Sequence, residues 1–240
     1  MDLEDAFGPG QVVSVVGAGG KKSTLYALAA ALERAVVTAT VRIPFFDEQV
    51  AALRVTETPS DAVQPPNDWP LGLVPGRDGS RSRYLGYDAE TIDSLAAATD
   101  ARILIKADGA RTRLLKAPKE DEPQVPSSTD ILVPVASVQA VGKPLDSEYV
   151  HRPERVAKLT GKSIGDSIDP EDLVTVVSHD DGGLKRLPAD ARPVPLINMV
   201  DDDDLEATAR PIAEALLEEP RIGRVVLSRM DRGRVVDVLT

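Results

Sequence analysis

One stretch narrows the fold of this chain more than any other. The apolar run Val12-Val13-Ser14-Val15-Val16 passes directly into Gly17-Ala18-Gly19-Gly20, then Lys21-Lys22-Ser23-Thr24, then Leu25-Tyr26-Ala27-Leu28-Ala29-Ala30-Ala31-Leu32. The valine run reads as a strand buried on both faces, and the Leu/Ala run as a helix. Glycines between them let the backbone turn its N–H groups inward around an anion, and the helix N-terminus adds partial positive charge. This is the order in which a phosphate site is built. Gly17, Ala18, Gly19, Gly20, Lys21, Lys22, Ser23 and Thr24 are its candidate residues: Lys21 reaches the outer phosphates, and Ser23 or Thr24 supplies a hydroxyl to Mg²⁺.

The standard spacing, Gly, four residues, then Gly-Lys-Ser/Thr, is not kept. With Lys21 as the phosphate lysine, Lys22 stands in the hydroxyl position and Val15 in that of the first glycine. A shorter form, Gly-x-x-Gly-Lys followed by hydroxyls, as in the Mur ligases, fits Gly17 to Lys21 better. The competing reading is a glycine-rich turn that binds nothing.

The chain has 240 residues, enough for a full α/β core within one domain spanning 1–240. The absence of cysteine excludes disulfides and thiolate chemistry, and with only His151 and His179 a histidine-built zinc site is not expected. The acidic start Met1-Asp2-Leu3-Glu4-Asp5 and the lack of a long apolar stretch lead us to expect a cytoplasmic protein without a membrane partner. Net charge is −11, with 25 Asp and 14 Glu against 19 Arg and 9 Lys. An Asp-rich, Lys-poor surface suits a halophilic cytoplasm, where salt screens self-repulsion; an ordinary acidic enzyme is the other reading. No basic stripe points to nucleic acid as a partner.

Strand and helix patterns alternate, which predicts a mostly parallel sheet flanked by helices. Strands are expected at 11–16, 35–40, 102–107, 131–136, 193–198 and 223–228, and helices at 22–34, 89–98, 152–160, 170–178 and 204–218. Residues 57–80, with five prolines, read as loop with at most short edge strands. A second long loop, 108–130, follows a strong strand directly, a placement that is usually functional. Asp201 to Asp204 read as a solvated helix start rather than a metal site.

The strand Arg102-Ile103-Leu104-Ile105-Lys106-Ala107 ends at Asp108. A carboxylate at the end of a strand neighbouring a phosphate loop positions Mg²⁺, so Ser23 and Asp108 are the candidate metal residues. The alternative is an Asp108-Gly109 turn. In the proline-stiffened loop beyond, Arg111, Arg113, Lys116 and Lys119 are candidates for an anionic ligand, and Asp121 or Glu122 for orienting a water.

Taken together, Gly17-Ala18-Gly19-Gly20-Lys21, Ala107-Asp108-Gly109-Ala110-Arg111 and Leu115-Lys116-Ala117-Pro118 with Glu122-Pro123 and Pro126 resemble the selenium-dependent hydroxylase accessory proteins of the YqeC type. Thr38-Ala39-Thr40, Gly142-Lys143-Pro144-Leu145, Val150-His151-Arg152 with Glu154, and Leu196-Ile197-Asn198 near Asp201 continue the likeness over about residues 10 to 229. The resemblance implies a P-loop NTPase-like fold and an accessory role in maturing selenium-dependent molybdenum hydroxylases. It brings no settled reaction. The chain departs from the family where Lys22 stands for a usual Thr, Lys106 for a usual Glu, and Asn198-Met199-Val200-Asp201 for an Asn-Lys-x-Asp-like string. That last string is either a remnant guanine reader or a strand end leading into an N-capped helix.

The expected function is therefore a nucleotide-binding accessory protein or slow NTPase. Its ligands would be ATP or GTP with Mg²⁺, the latter in tension with Lys22 and Lys106, and its partner a molybdenum hydroxylase or its cofactor. Lys21, Asp108, Lys116 and Glu122 are the candidate catalytic set. Two alternatives stand beside it: a small-molecule phosphotransferase with Lys116, Arg111 and Arg113 holding the acceptor, and a P-loop protein that binds without turnover. Oligomeric state is not legible.

Overall fold

A computed structural model describes residues 2–64 and 66–240. Met1 and Pro65, the latter one of the five prolines noted above, lie outside the described residues. In chain order the strands are β1 (Val12–Gly17), β2 (Ala35–Ala39), β3 (Ile43–Pro44), β4 (Ala52–Val55), β5 (Leu71–Val74), β6 (Arg83–Tyr84), β7 (Arg102–Lys106), β8 (Leu115–Lys116), β9 (Ile131–Ser137), β10 (Val150–His151), β11 (Arg192–Pro193), β12 (Leu196–Asn198), β13 (Val225–Arg229) and β14 (Arg234–Leu239). The α-helices are α1 (Leu3–Phe7), α2 (Lys21–Ala31), α3 (Pro59–Ala62), α4 (Ala89–Ala98), α5 (Pro153–Thr160), α6 (Pro170–Ser178) and α7 (Asp203–Leu216).

The main sheet runs β14-β13-β12-β9-β1-β7-β2-β5-β4, with β11 also beside β9. Its pairs are parallel, apart from the antiparallel β13–β14 edge. The α/β class with a mostly parallel sheet flanked by helices is therefore as the alternation predicts. Successive side chains on a strand face opposite ways, and here both faces are covered. Val13, Val15, Leu104 and Val133 pack with Leu25 and Leu28 of α2. Val12, Val16, Ile103 and Ile105 pack on the other side with Ile92 and Leu95 of α4. Each such side chain contributes about 2 kcal/mol on burial. A third cluster joins Ile197 and Leu227 to Leu173 and Val177 of α6 and to Ile212 and Leu216 of α7.

Helix starts follow local chemistry. The Asp88 carboxylate accepts from the Thr91 amide at 2.7 Å, and Asp202 accepts from the Leu205 amide at 2.9 Å. The aspartate run 201–204 thus begins α7, with Asp203, Asp204 and Glu206 in the first turn, where the helix dipole favours acids.

Two expectations are corrected, and one strand lies outside them. The 57–80 segment is not loop with edge strands at most. It contains α3 and β5, and β5 lies inside the sheet between β2 and β4, fully buried. Pro70 and Pro75 bracket that four-residue strand without entering its ladder, so their density hid it. The expected strand 193–198 is divided into β11 and β12, both against β9. Strand β14 lies outside the expected strands because Asp237 interrupts its short apolar run of Val235, Val236, Val238 and Leu239.

Because the strands from β12 to β5 share one direction, their C-terminal ends lie along one edge. Gly17, Thr40, Asp108, Ser137 and Asn198 all follow or close strands there. In open α/β sheets this is the edge where ligands bind.

Candidate functional site

The glycine loop between β1 and α2 is pinned from three neighbouring strands. The Gly17 amide donates to Asp108 Oδ2 at 3.0 Å, after β7, and the Ala18 amide to the Val135 carbonyl at 2.9 Å, in β9. Asn198, closing β12, donates its side-chain amide to the Gly19 carbonyl at 2.7 Å. The Gly19 amide donates to the Arg113 carbonyl at 2.8 Å, which ties in the 108–130 loop. Gly17 and Gly20 must be glycine here. Their φ values are +89° and +128°, and a Cβ would collide with the Val135 carbonyl in one case and the Asn198 side chain in the other.

Helix α2 opens at this loop with no side-chain cap and no acid in its first turn. Among the described residues, the amides of Gly20, Lys21, Lys22 and Ser23 have no backbone acceptor. Lysines at a helix N-terminus oppose the dipole; Asp108, 3.0 Å from Lys21, offsets one of the two, and Lys22 has no ion pair among the described residues.

Behind the loop runs a buried chain of alternating charge. Lys21 Nζ lies 3.0 Å from Asp108 Oδ1 and also donates to the Gly17 carbonyl. Lys116 Nζ is 2.8 Å from Asp108 Oδ2, 2.7 Å from Glu122 Oε2 and 2.6 Å from the Gly109 carbonyl. Arg152 closes the chain with a bidentate pair to Glu122 at 2.8 and 3.2 Å. Burial opposes the charge on Asp108, but Lys21 and Lys116 outweigh it and hold the carboxyl below its ordinary value. Burial likewise opposes Glu122, and Arg152 and Lys116 hold it low. On Lys21 burial wins over the attraction of Asp108 and lowers the ammonium.

Lys106, at the end of β7, is 6 % exposed and donates to the Arg42 carbonyl at 2.9 Å. Burial, reinforced by the neighbouring Lys21 charge, brings it down to about 7. His151 is brought down to about 4 by burial and then by Arg152. Both line a cavity of about 500 Å³ at the mouth of the glycine loop. Its walls carry Lys21, Lys22, Arg42, Arg83, Lys106, Arg111, Arg113 and Arg152 against a single carboxylate, Glu122. On a chain of net charge −11 this is a concentrated cationic pocket. Backbone strain gathers there too: Arg111, Thr112, Arg152 and Met199 have positive φ and line the cavity.

The sequence candidates fall into two groups. Lys21, Asp108, Lys116 and Glu122 form one connected ion-pair network, and Gly19, Gly20, Lys21, Lys22 and Ser23 line the cavity. Thr24 does not face it: the side chain is buried and its hydroxyl donates to the Gly20 carbonyl at 3.1 Å. Ala18 is buried behind the loop. Lys116 is enclosed between two carboxylates and does not reach out to an acceptor, and Lys119 pairs outward with Asp121 at 2.7 Å. Asn198 is buried, donating to the Gly19 carbonyl and accepting from Ser228 Oγ and the Met230 amide at 3.0 Å each, so it supports the loop rather than reading a base. Arg42 and Arg83 were not anticipated. Arg42 had a usable signal, since it follows the C-terminal end of a parallel strand; Arg83, in the two-residue strand β6, had none.

The residues present do not fit Mg²⁺. Asp108 Oδ2 accepts from Lys116 and the Gly17 amide, Oδ1 has the Lys21 ammonium at 3.0 Å but no hydrogen-bond partner among the described residues, and both Glu122 oxygens are taken by Lys116 and Arg152. Among the described residues no cluster of three or more His, Asp or Glu is placed to hold a metal ion. Ser23 lines the cavity without a free carboxylate to share an ion with. Nor, among the described residues, is any helix long and apolar enough to cross a membrane.

Fold and site together define an α/β protein with a polycationic cavity at the C-terminal edge of a parallel sheet. The family model described as YqeC protein matches residues 13–154, which include the glycine loop, Asp108, Lys116, Glu122 and Arg152. The chain is also 32 % identical over 193 residues to the protein YqeC of Escherichia coli (strain K12), a segment covering 78 % of this chain and 75 % of that protein. The chain belongs to the YqeC family. No solved structure matches it.

Proposed function

We propose that the cavity binds the phosphates of a nucleotide, ATP or GTP, on a P-loop NTPase-like scaffold. The observation that carries this reading is the open N-terminus of α2: unpartnered amides from Gly20 to Ser23, beside Lys21, face a cavity walled by cations. A phosphate placed there satisfies those amides and the dipole at once, and Lys21 turns from the Gly17 carbonyl onto it. Arg83, Arg111 and Arg113, which line the cavity and form no ion pair among the described residues, hold the remaining charge.

Binding rather than rapid turnover is what this arrangement supports. A water attacking a phosphate needs a group to orient it, and the two network carboxylates are both ion-paired. The loss of Lys116 to those pairs counts against the phosphotransferase alternative. The wider role, a cytoplasmic accessory factor in the maturation of selenium-dependent molybdenum hydroxylases, rests on the family resemblance and is proposed on that basis.

Calorimetric titration of ATP, GTP and pyrophosphate into the wild type and Lys21→Ala tests the site. Removal of a charge-assisted contact is expected to weaken binding by about tenfold or more. Equal affinity for the two proteins sinks the assignment.

A further inference from the structure

We propose that the cavity takes its polyphosphate as the metal-free anion, with the Lys21 and Lys106 ammonium groups supplying the charge that a divalent cation supplies elsewhere. This rests on the nucleotide reading above and specifies the ligand's form.

Three observations point the same way. The first is the state of the carboxylates. Asp108 Oδ2 already accepts from Lys116 at 2.8 Å and from the Gly17 amide at 3.0 Å, and Oδ1 faces Lys21 at 3.0 Å, so a divalent ion at Asp108 would have to displace at least one of these buried partners. Removing one partner from a buried pair is strongly unfavourable. Glu122 is bound by Lys116 and a bidentate Arg152 and offers no substitute.

The second is Lys106. Its side chain is more than nine-tenths buried and faces the cavity, yet it forms no ion pair among the described residues and reaches only the Arg42 carbonyl, at 2.9 Å. A buried, unpaired ammonium is costly, which is why Lys106 gives up its proton near pH 7 unless a counter-charge arrives. An incoming phosphate oxygen is the counter-charge that the protein does not provide.

The third is charge balance. Of the eight cationic side chains on the walls, Lys21, Arg42 and Arg152 pair with Asp108, Asp78 and Glu122, while Lys22, Arg83, Lys106, Arg111 and Arg113 have no ion pair among the described residues. A free triphosphate brings a charge of about −4, and its complex with a divalent ion about −2, so the field of the pocket favours the former. The same field repels the ion itself.

The experiment is a set of calorimetric titrations with ATP and with inorganic pyrophosphate at constant ionic strength, once in EDTA and once in excess Mg²⁺. The wild type should bind in EDTA at least as tightly as in Mg²⁺. Lys106→Gln, which keeps a donor but removes the charge, should weaken binding in EDTA by about tenfold. Lys106→Glu should make binding depend on Mg²⁺; circular dichroism checks its folding, and Lys106→Gln reads the same charge if it is unfolded. Tighter binding by the wild type in Mg²⁺ than in EDTA overturns this proposal and leaves the nucleotide site standing. So does unchanged EDTA affinity in folded Lys106→Gln. Absence of binding in both conditions rejects the nucleotide site, and the metal-free form with it.

Discussion

Lys116 Nζ sits 2.8 Å from Asp108 Oδ2 with its side chain fully enclosed, in a loop that sequence alone reads as irregular. The two-residue pairing of β8 with β10, Leu115 with Val150 and Lys116 with His151, sets the lysine in place. It therefore bridges Asp108 after β7 and Glu122 in the loop, and through Glu122 it reaches Arg152 at the start of α5.

Lys116→Met should accordingly destabilise the protein by about 3 kcal/mol, since it removes the shared cation between two carboxylates and leaves Asp108 with Lys21 and Glu122 with Arg152 alone. Urea denaturation measures this. The double variant Lys116→Met with Glu122→Gln should recover part of the loss, because the carboxylate that loses Lys116 is itself neutralised; strictly additive losses would contradict the coupling.

At the glycine loop, Gly20→Ala should cost about 2 kcal/mol, from both the positive φ and the collision of the new methyl with the Asn198 amide. In an Asn198→Ala background the steric part disappears, so the second loss should be smaller than the first. Thermal melts of the four proteins give the cycle. An equal cost in both backgrounds would place the strain in the backbone alone.

Lys106 makes a prediction about pH. Its pKa in the folded protein, about 7, lies below the ordinary value of 10.5. Below pH 7 the ammonium is charged in both folded and unfolded chains, and its burial costs stability in full. Between pH 7 and about 10 the unfolded chain keeps a proton that the folded one has released, so this cost is relieved as pH rises. Without ligand, Lys106→Met should be more stable than the wild type by a few kcal/mol at pH 6, at about 1.4 kcal/mol per pKa unit, with the gap closing toward pH 10. Chemical denaturation at three pH values checks it; a gap that widens with pH would contradict the burial of a charged lysine.

Helix α7 offers a control away from the site. Asp202→Ala removes the acceptor of the Leu205 amide and should cost about 1 kcal/mol, while Asp204→Ala should cost less than half as much. Similar losses for the two would mean that the aspartate run acts through charge and not through the cap.

Much of this architecture is legible in the residues. The central strands are short Val/Ile/Leu runs because both faces are covered, and α4 and α6 fall at the expected 89–98 and 170–178. The glycine loop, Lys21, Asp108 and the Lys116–Glu122 string are visible because they are unusual residues at sharp transitions. What stays hidden depends on partners distant in the chain. Asn198 looks like a base reader until its amide is found on Gly19 and its oxygen on Ser228 and Met230. Lys116 looks free to meet a ligand until two carboxylates close around it. The inner strand β5 is concealed by the prolines that delimit it, and Arg83 reaches the cavity only because β6 pairs with β3.

The central claim is that the open first turn of α2 is an anion site. Titration of the ¹⁵N-labelled protein with inorganic pyrophosphate, followed by amide NMR, tests it most directly. The account predicts that the largest shifts fall on the amides of Gly20, Lys21, Lys22 and Ser23, and that they are lost in Lys21→Ala. Saturable shifts centred elsewhere, or none at this turn at millimolar pyrophosphate, would contradict it.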